Sequence, residues 1–170
     1  MNVYKAIRYK RAVRKFSDEE ISDEQARKIL NAGRRAQSSK NTQPWQFIAI
    51  RDRAILKELS KAGMFAGHIA GANFAVAILT PDPKKKATIL FDAGQAAAYM
   101  QLAAWEMGIG SCLASVYKQD IGRQILGFPD KWHLNVAISF GYAAKEESIT
   151  AKPGRRGRKA LKRSVHWDRW

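Results

Sequence analysis

The chain has 170 residues, 46% of them hydrophobic, so it is long enough to bury the core of one domain and too apolar for a disordered chain. Its 30 Lys and Arg residues against 15 Asp and Glu give a formal net charge of +15, which predicts an anionic partner: a cofactor phosphate, nucleic acid or an anionic membrane surface. The single cysteine, Cys112, excludes an internal disulfide and a cysteine-based zinc site.

The N-terminal segment MNVYKAIRYKR lacks the apolar centre of a signal peptide, and no run in the chain is long and apolar enough to span a bilayer. The low cysteine content fits a reducing compartment. These features predict a cytoplasmic protein without a membrane span.

Two helices are predicted before residue 36. Val3 and Ile7, about one helical turn apart, indicate a short first helix over residues 2–9, which runs into the basic segment KRAVRKF at residues 10–16. Residues 22–25, SDEQ, form a capping box that predicts a second helix through about Arg35. The inner face of this helix consists of small and aliphatic residues, namely Ala26, Ile29, Leu30 and Gly33.

Residues 38–45, SSKNTQPW, are predicted to form a loop, because Ser and Asn side chains stabilise turns. Pro44 biases Gln43 away from the helical conformation and so starts a strand, which the apolar residues 46–50 predict to be buried. Loops at strand ends are common places for small-molecule sites. The alternative is an ordinary helix-to-strand connection in which Trp45 fills the core.

The second half of the chain alternates helices and strands. Asp52 is placed to cap a third helix, and residues 74–79 form a continuous apolar run, typical of a strand buried on both faces. The longest helix, residues 88–107, is apolar on nearly every side, which predicts that a second subunit covers its outer face. The remaining predicted elements are a strand at Gly110–Ser115, a helix at residues 120–126 and a strand at residues 135–142.

Residues 150–170 differ in character from the rest of the single domain predicted for residues 1–170. Residues 152–163 contain seven Lys and Arg residues interrupted by Pro and Gly, whereas Val165, Trp167 and Trp170 are apolar. A free tail has no need of large apolar groups. This basic C-terminal extension is therefore predicted to pack on the body or on a partner subunit.

Four segments resemble the FMN-dependent nitroreductase family, in the same order and over nearly the whole chain. KRAVRKF at residues 10–16 is similar to that family's Arg-Arg-Ser-x-Arg-x-Phe, and AQSSKNTQPW at residues 36–45 is similar to its Ala-Pro-Ser-x-x-Asn-x-Gln-Pro-Trp loop. Residues 92–112 resemble its Asp-x-Gly helix that ends in Gly-Leu-Gly-Ser/Thr-Cys, and RKAL at residues 158–161 resembles its closing Arg-Lys-Pro-Leu. One match is weak evidence, whereas four in order are strong evidence.

The resemblance implies an α+β fold with a mostly antiparallel central sheet wrapped by helices, in an intertwined homodimer with FMN at the subunit interface. By similarity, the residues that line the ribityl phosphate and the flavin edge are Lys10, Arg11, Ala12 and Arg14, and those that return from the chain end to the phosphate are Arg156 and Arg158. Some of the FMN contacts would come from the other subunit, among Ser38, Ser39 and Asn41. The backbone that faces the flavin N5 would be that of Ala114, Ser115 and Val116.

The implied activity is that of an NAD(P)H oxidoreductase. NADH or NADPH reduces the flavin and leaves, and a small nitroaromatic, quinone or flavin acceptor then takes the electrons in a ping-pong cycle. The flavin carries the hydride chemistry, so no side chain is assigned a catalytic role. The three histidines are too widely spaced for a metal motif, and His68 is left out of the predicted site because a lone histidine is more often a packing residue.

Two alternatives remain open. Ala12, Gln37 and Ala160 stand where the family usually has Ser, Pro and Pro, and residues 113–115 lack its usual Trp and Gly. These departures leave room for an FMN-binding relative that performs dehalogenation, flavin degradation or sensing. The net charge and the basic tail favour a nucleic-acid-binding protein, but the sequence has no RRM, KH, zinc-finger or helix-turn-helix signature.

Overall fold

The computed structural model of the chain describes residues 3–145, residue 149 and residues 158–170. Its centre is a four-stranded antiparallel sheet, whose strands are Gln46–Ile50 (β1), Phe74–Thr80 (β2), Gly110–Ser115 (β3) and His133–Gly141 (β4). Their order in the sheet is β1-β2-β4-β3. The helices are Val3–Tyr9 (α1), Asp23–Arg34 (α2), Arg53–Leu59 (α3), Thr88–Glu106 (α4) and Gln119–Leu126 (α5). The predicted α+β fold with an antiparallel sheet is confirmed.

The positions of β2 and β1 in the sheet explain one correct and one wrong prediction about burial. Every residue of β2 is buried, as its unbroken apolar sequence predicts, because β2 pairs with a strand on each side and carries helices on both faces. The prediction that β1 is a buried strand is wrong. Gln46 and Ala49 are exposed and only Ile50 is fully buried, since β1 lies at the edge of the sheet and has a single neighbouring strand.

Helices α2 and α4 cover one face of the sheet, and α3 and α5 cover the other. The first core contains Ile29 of α2 and Met100 of α4, packed with side chains of β2 and β4. Helix α2 begins at the predicted capping box: the Gln25 N–H donates to Ser22 Oγ over 3.2 Å, and the Ser22 N–H donates to Gln25 Oε1 over 2.9 Å. Asp52 caps α3 as predicted, since its side chain accepts the Ile55 N–H.

Helix α4 is buried on one side, whereas its outer side is apolar and exposed within the single chain. Met100 and Ala104 are fully buried, but Leu90, Phe91 and Tyr99 are 50%, 74% and 39% exposed. Contiguous exposed apolar surface of this kind is typical of a protein interface. The predicted covering of this face by a second subunit stays a prediction.

The segment at residues 10–17 begins along the outer edge of β3 and continues beside the residues that follow β4. The Val13 N–H donates to the Ser111 carbonyl oxygen over 2.9 Å, and Ala12 forms a parallel bridge with the same residue. Further along, the Ser17 N–H donates to the Tyr142 carbonyl oxygen over 2.9 Å. These bonds hold the basic segment against the sheet, with the Val13 side chain buried.

Gly110 permits the close approach of this segment. A Cβ atom at Gly110 would lie 2.7 Å from Val13 Cβ, which is too close for two carbon atoms. We expect Gly110→Ala to lower the free energy of unfolding by about 1–3 kcal/mol, because the segment must move away from β3. Chemical denaturation measures this change.

Gly71→Ala is the matched control for that variant, because a Cβ atom at Gly71 has no heavy atom within 4 Å and its backbone is not left-handed. It should cause no loss of stability. Equal stability of the two variants would contradict the packing of residues 10–17 on β3.

The described part of the C-terminal extension, residues 158–170, is largely exposed on the single chain. Leu161, Trp167 and Trp170 are 73%, 83% and 100% exposed, and residues 150–157 lie outside the described residues. The prediction that the extension packs on the body or on a partner subunit stays a prediction. Among the described residues, no helix has the length and apolar character needed to cross a membrane.

Candidate functional site

Three cations from the two ends of the chain meet beside β3. The side chain of Arg14 forms a hydrogen bond with the thiol of Cys112, and Lys10 interacts electrostatically with both Cys112 and Arg158. We call Lys10, Arg14 and Arg158 the cation cluster. It forms because residues 10–14 follow the edge of β3, where Cys112 lies, and because residue 158 returns to the same place.

The described residues do not compensate the positive charge of the cation cluster. Within the part of the chain that the structure describes, no ion pair includes any of its three members. Burial lowers the pKa of Lys10 below its ordinary value, and the nearby positive charge of Arg158 lowers this pKa further. A group of cations held together without carboxylates attracts an anion.

The other described residues predicted in the two basic segments, Arg11 and Ala12, contact the backbone instead. Arg11 is half-buried, and its Nε donates to the Tyr9 carbonyl oxygen over 3.4 Å. Ala12 is exposed and takes part in the bridge to Ser111. Arg156 lies outside the described residues.

His68 joins the site, although sequence reasoning left it out. Its Nδ1 lies 2.7 Å from Ser139 Oγ, and that hydroxyl donates to the Cys112 carbonyl oxygen over 3.2 Å. Burial lowers the pKa of His68 below its ordinary value, and the positive charge of Arg14 lowers it further, so the ring is neutral at pH 7. No periodicity marks His68, because it lies in a Gly- and Ala-rich stretch that carries no clear helix or strand pattern.

Cys112 contributes its backbone and its position rather than reactivity. The side chain is buried, and burial raises the pKa of the thiol, although the positive charges of Arg14 and Lys10 oppose this rise. A thiol with a raised pKa is a poor nucleophile at pH 7. Cys112 is therefore a buried structural residue.

The 38–45 loop is compact and strained. It contains a 3₁₀ turn, Ser39–Asn41, and three non-glycine residues with positive φ, namely Lys40, Asn41 and Gln43 at 52°, 54° and 46°. The Gln43 N–H donates to Ser38 Oγ over 2.9 Å, and Gln43 Nε2 donates to Asn41 Oδ1 over 3.2 Å. Strained backbone of this kind persists only where surrounding contacts hold it.

Asp92 is the contact that ties this loop to α4. The carboxylate is only 3% exposed, and its two oxygens accept the Ser39 N–H over 3.1 and 3.2 Å. Ser38 and Ser39 are half-buried, and Asn41 is exposed. The sequence placed Asp92 in a motif of α4 but gave no sign that it would hold the loop.

The end of β3 offers a backbone edge to a ligand. Ala114 and Val116 are buried, and the Val116 N–H donates to the Asn135 carbonyl oxygen over 2.9 Å. Because amides alternate in direction along an antiparallel strand, the backbone of Ser115 points away from β4, toward the side where Gly63 packs against its carbonyl oxygen. Of the three residues predicted to face the flavin N5, only Ser115 has its backbone N–H free of β4.

The side chain of Ser115 borders a cavity of about 390 Å³ on the α4 side of the sheet. Leu113 lies on the same side of β3, and Leu90, Ala93 and Gly94 of α4 form the facing wall. No hydrogen bond or ion pair among the described residues joins the 38–45 loop to the cation cluster. On one chain the predicted residues therefore form two groups, one in the 38–45 loop and one beside β3.

Metal chemistry finds no support in the described residues, which contain no group of three or more His, Cys, Asp or Glu side chains able to hold an ion. The cation cluster is suited to bind an anion, and the neutral imidazole of His68 lies beside it.

Comparison with known proteins places this geometry in a family. The family model described as the nitroreductase family matches residues 7–66 and 62–142. A relative from Archaeoglobus fulgidus, whose name carries the terms NADH dehydrogenase and NAD(P)H nitroreductase, is 36% identical over 153 residues, 85% of this chain and 87% of its own length. The NADPH-flavin oxidoreductase of Vibrio harveyi is 30% identical over 159 residues, 82% of this chain and 63% of its own length.

Solved structures agree with the sequence comparisons. The FMN-dependent nitroreductase from Clostridium difficile superposes with a TM-score of 0.86 at 28% sequence identity, over 99% of this chain and 100% of that one. The family model matches well over half of the chain, in the region that contains the sheet, the 38–45 loop and most of the cation cluster. The prediction from the four motifs is confirmed: the chain is a member of the nitroreductase family of oxidoreductases.

Proposed function

We propose that the chain is an FMN-dependent NAD(P)H oxidoreductase that works as a homodimer. The observation that carries the proposal is the cation cluster, three positive charges beside Cys112 that pair with no carboxylate among the described residues. Two similarities support it: the structural neighbour from Clostridium difficile is called FMN-dependent, and the relative from Archaeoglobus fulgidus is named for NAD(P)H.

The residues of the site fit FMN. A phosphate group needs charge-assisted donors, which Lys10 and the forked guanidinium groups of Arg14 and Arg158 supply. Beside them, the buried Nε2 atom of His68 has no hydrogen-bond partner within the described residues, which suits a polar group of the ligand. Bound FMN would supply the electron transfer between NADH or NADPH and the acceptor.

The role of the side chains of this site would be to bind and orient the cofactor. Lys10 and Arg158 would hold the phosphate, while Arg14 acts electrostatically on both Cys112 and His68. A fixed positive charge in that position would stabilise negative charge on a bound ligand. Ser115 would present its backbone N–H, which β4 does not use, to the ligand.

A homodimer would bring the 38–45 loop, which lies apart from the cation cluster on one chain, to the cofactor site of the other chain. The outer face of α4, which carries Leu90 and Phe91, would pack against the same face of another copy. The 38–45 loop is held on α4 by Asp92, so Ser38, Ser39 and Asn41 would then reach the site of the other subunit. The proposed acceptors are nitroaromatics, quinones or free flavins, and the reductant is NADH or NADPH.

An absorption spectrum of the purified protein under anaerobic conditions tests this function. We expect a flavin spectrum that bleaches when NADH or NADPH is added and returns when a nitroaromatic or quinone is supplied. A flavin spectrum that neither nucleotide bleaches would contradict the reductase and favour a flavin-binding relative with other chemistry. A colourless protein that does not take up FMN would contradict the proposal as a whole and turn attention to nucleic-acid binding.

A further inference from the structure

A groove of about 710 Å³ runs between α2 and β1, and its volume lies within the range of small-molecule sites. Helix α2 contributes Leu30 and Arg34 to its lining, and the other side is formed by Phe47 and by Trp45, which precedes β1. None of the residues predicted to bind FMN lines this groove. It is therefore separate from the cation cluster, and we call it the α2–β1 groove.

Two aromatic rings border the α2–β1 groove. The ring planes of Trp45 and Phe47 are only 10° from parallel, and their centroids are 6.3 Å apart. Trp45 is buried, whereas Phe47 is half-buried and keeps part of its ring open to the groove. Because a nucleic-acid base has a flat aromatic face, it gains free energy by stacking on a surface of this kind. The groove therefore suits a planar ligand such as a purine.

The surroundings of the groove are positively charged. Residues 25–50 contain five Lys and Arg residues and no Asp or Glu. Arg34 Nε and Nη2 donate to Asn31 Oδ1 over 3.1 and 3.0 Å, which orients the guanidinium group beside the groove. No ion pair among the described residues includes Arg34. Its remaining N–H groups are thus available to an anion, and a phosphate group accepts such a fork of donors.

The groove adjoins the loop that we propose reaches the cofactor of the other subunit. Gln43 lines the groove, and its Nε2 donates to Asn41 Oδ1 within the same loop. A ligand with one end at that cofactor and the other end in the groove is long and carries a ring and a phosphate at its far end. NADPH has an adenine ring and a 2′-phosphate at the end opposite its nicotinamide, whereas NADH lacks the 2′-phosphate.

We propose that the α2–β1 groove binds the adenosine 2′-phosphate end of NADPH, and that NADPH rather than NADH is the reductant of this chain. This inference rests on the proposed NAD(P)H oxidoreductase. Arg34 donates to the 2′-phosphate, and Phe47 packs against the adenine. Arg34 determines specificity, because the 2′-phosphate is the group by which the two nucleotides differ. The basic extension does not suit the groove, because residues 158–170 contain five Lys and Arg residues and one Asp.

Calorimetric titration with two nucleotide fragments tests the groove directly. Adenosine 2′,5′-bisphosphate carries the 2′-phosphate of NADPH, and adenosine 5′-monophosphate lacks it. Both are titrated with saturating FMN present, so that the cation cluster is occupied. We expect the wild-type protein to bind the bisphosphate at least about tenfold more tightly, as one charge-assisted contact requires. Equal affinity for the two fragments, or binding of neither, would overturn the inference.

Arg34→Gln should lose most of this preference, because its affinity for the bisphosphate falls by about tenfold while that for the monophosphate changes little. Lys57→Gln is the matched control, because it removes an exposed positive charge from α3, on the opposite face of the sheet. It should keep the wild-type preference. Equal loss in both variants would mean that net charge alone attracts the phosphate, and would overturn the role of Arg34.

Phe47→Leu separates the ring contact from the phosphate contact. It keeps an apolar side chain but removes the aromatic face, so it should weaken the binding of both fragments by a similar factor. The preference for the bisphosphate should then stay at the wild-type value. Unchanged affinity for both fragments would overturn the placement of the adenine on Phe47.

Reduction of the bound flavin distinguishes this inference from the proposed function. The wild-type flavin should bleach at lower concentrations of NADPH than of NADH, and Arg34→Gln should narrow that difference. If both nucleotides bleach the wild-type flavin equally well, the assignment of the groove is wrong while the proposed reductase stands. If the protein binds no FMN, or binds FMN that neither nucleotide bleaches, the proposed function itself fails.

Discussion

Replacing Arg14 by glutamine is expected to weaken FMN binding by about tenfold to a hundredfold, the range of a charge-assisted hydrogen bond. Arg14 is exposed and belongs to no ion pair among the described residues, so the loss should appear in binding rather than in folding. Titration of the apoprotein with FMN, followed by quenching of flavin fluorescence, gives the dissociation constant. Thermal unfolding of the same samples checks that the fold is intact.

Arg27→Gln is the control for this variant. It removes the same charge from the exposed side of α2, outside the cation cluster. Because exposed charges are screened beyond roughly 8–10 Å in physiological salt, its dissociation constant should stay within about twofold of wild type. Equal weakening by both variants would mean that net charge, and not the cation cluster, attracts the cofactor.

Asp92→Ala is expected to have the largest effect on stability, a loss of about 2–3 kcal/mol in the free energy of unfolding. The substitution removes a buried carboxylate that accepts the Ser39 N–H and leaves that donor without its partner. The 38–45 loop then has less to offset the strain of its left-handed residues, so it should relax. In the proposed dimer the relaxed loop should also weaken FMN binding by about tenfold, through lost preorganisation.

Asp120→Ala provides the comparison for Asp92→Ala. Asp120 is a fully exposed aspartate on α5, 3.9 Å from Arg123, and its removal should leave both stability and FMN binding near wild type. Chemical denaturation and FMN titration of the two variants give the two quantities. If Asp92→Ala lowers stability but binds FMN normally, the 38–45 loop takes no part in the cofactor site.

The strands could be predicted from the sequence where the hydrophobic pattern matches the burial found in the structure. Residues 74–79 are apolar without interruption, and β2 is indeed paired on both sides and buried throughout. Gly110–Ser115 was predicted at its observed bounds, because Gly108 ends α4 with a positive φ and the apolar pattern changes there. The capping box at residues 22–25 was equally clear.

Edges and outer faces could not be predicted in the same way. Four of the five residues of β1 are apolar, and no local pattern in residues 46–50 shows that only one neighbouring strand pairs with them. The uniform apolar character of α4 likewise hides which side meets the sheet. Composition reports that a residue is apolar, but the tertiary arrangement decides whether the single chain covers it.

The candidate site shows the same limit. The basic residues of the cation cluster were predicted because a family motif marks them, and the structure brings Lys10, Arg14 and Arg158 together. His68 and Asp92 were missed as site residues. Their roles depend on Ser139 and Ser39, which lie 71 and 53 residues away in the sequence, and no local pattern records such pairs.

Equilibrium binding of FMN and riboflavin to the wild-type apoprotein tests the central claim most directly, because the two ligands share the ring and differ by the phosphate. If the cation cluster holds that phosphate, FMN should bind at least about a hundredfold more tightly than riboflavin, as two or more charge-assisted contacts require. Equal affinity for the two flavins would contradict the account, because the uncompensated cations beside β3 would then have no part in binding the cofactor.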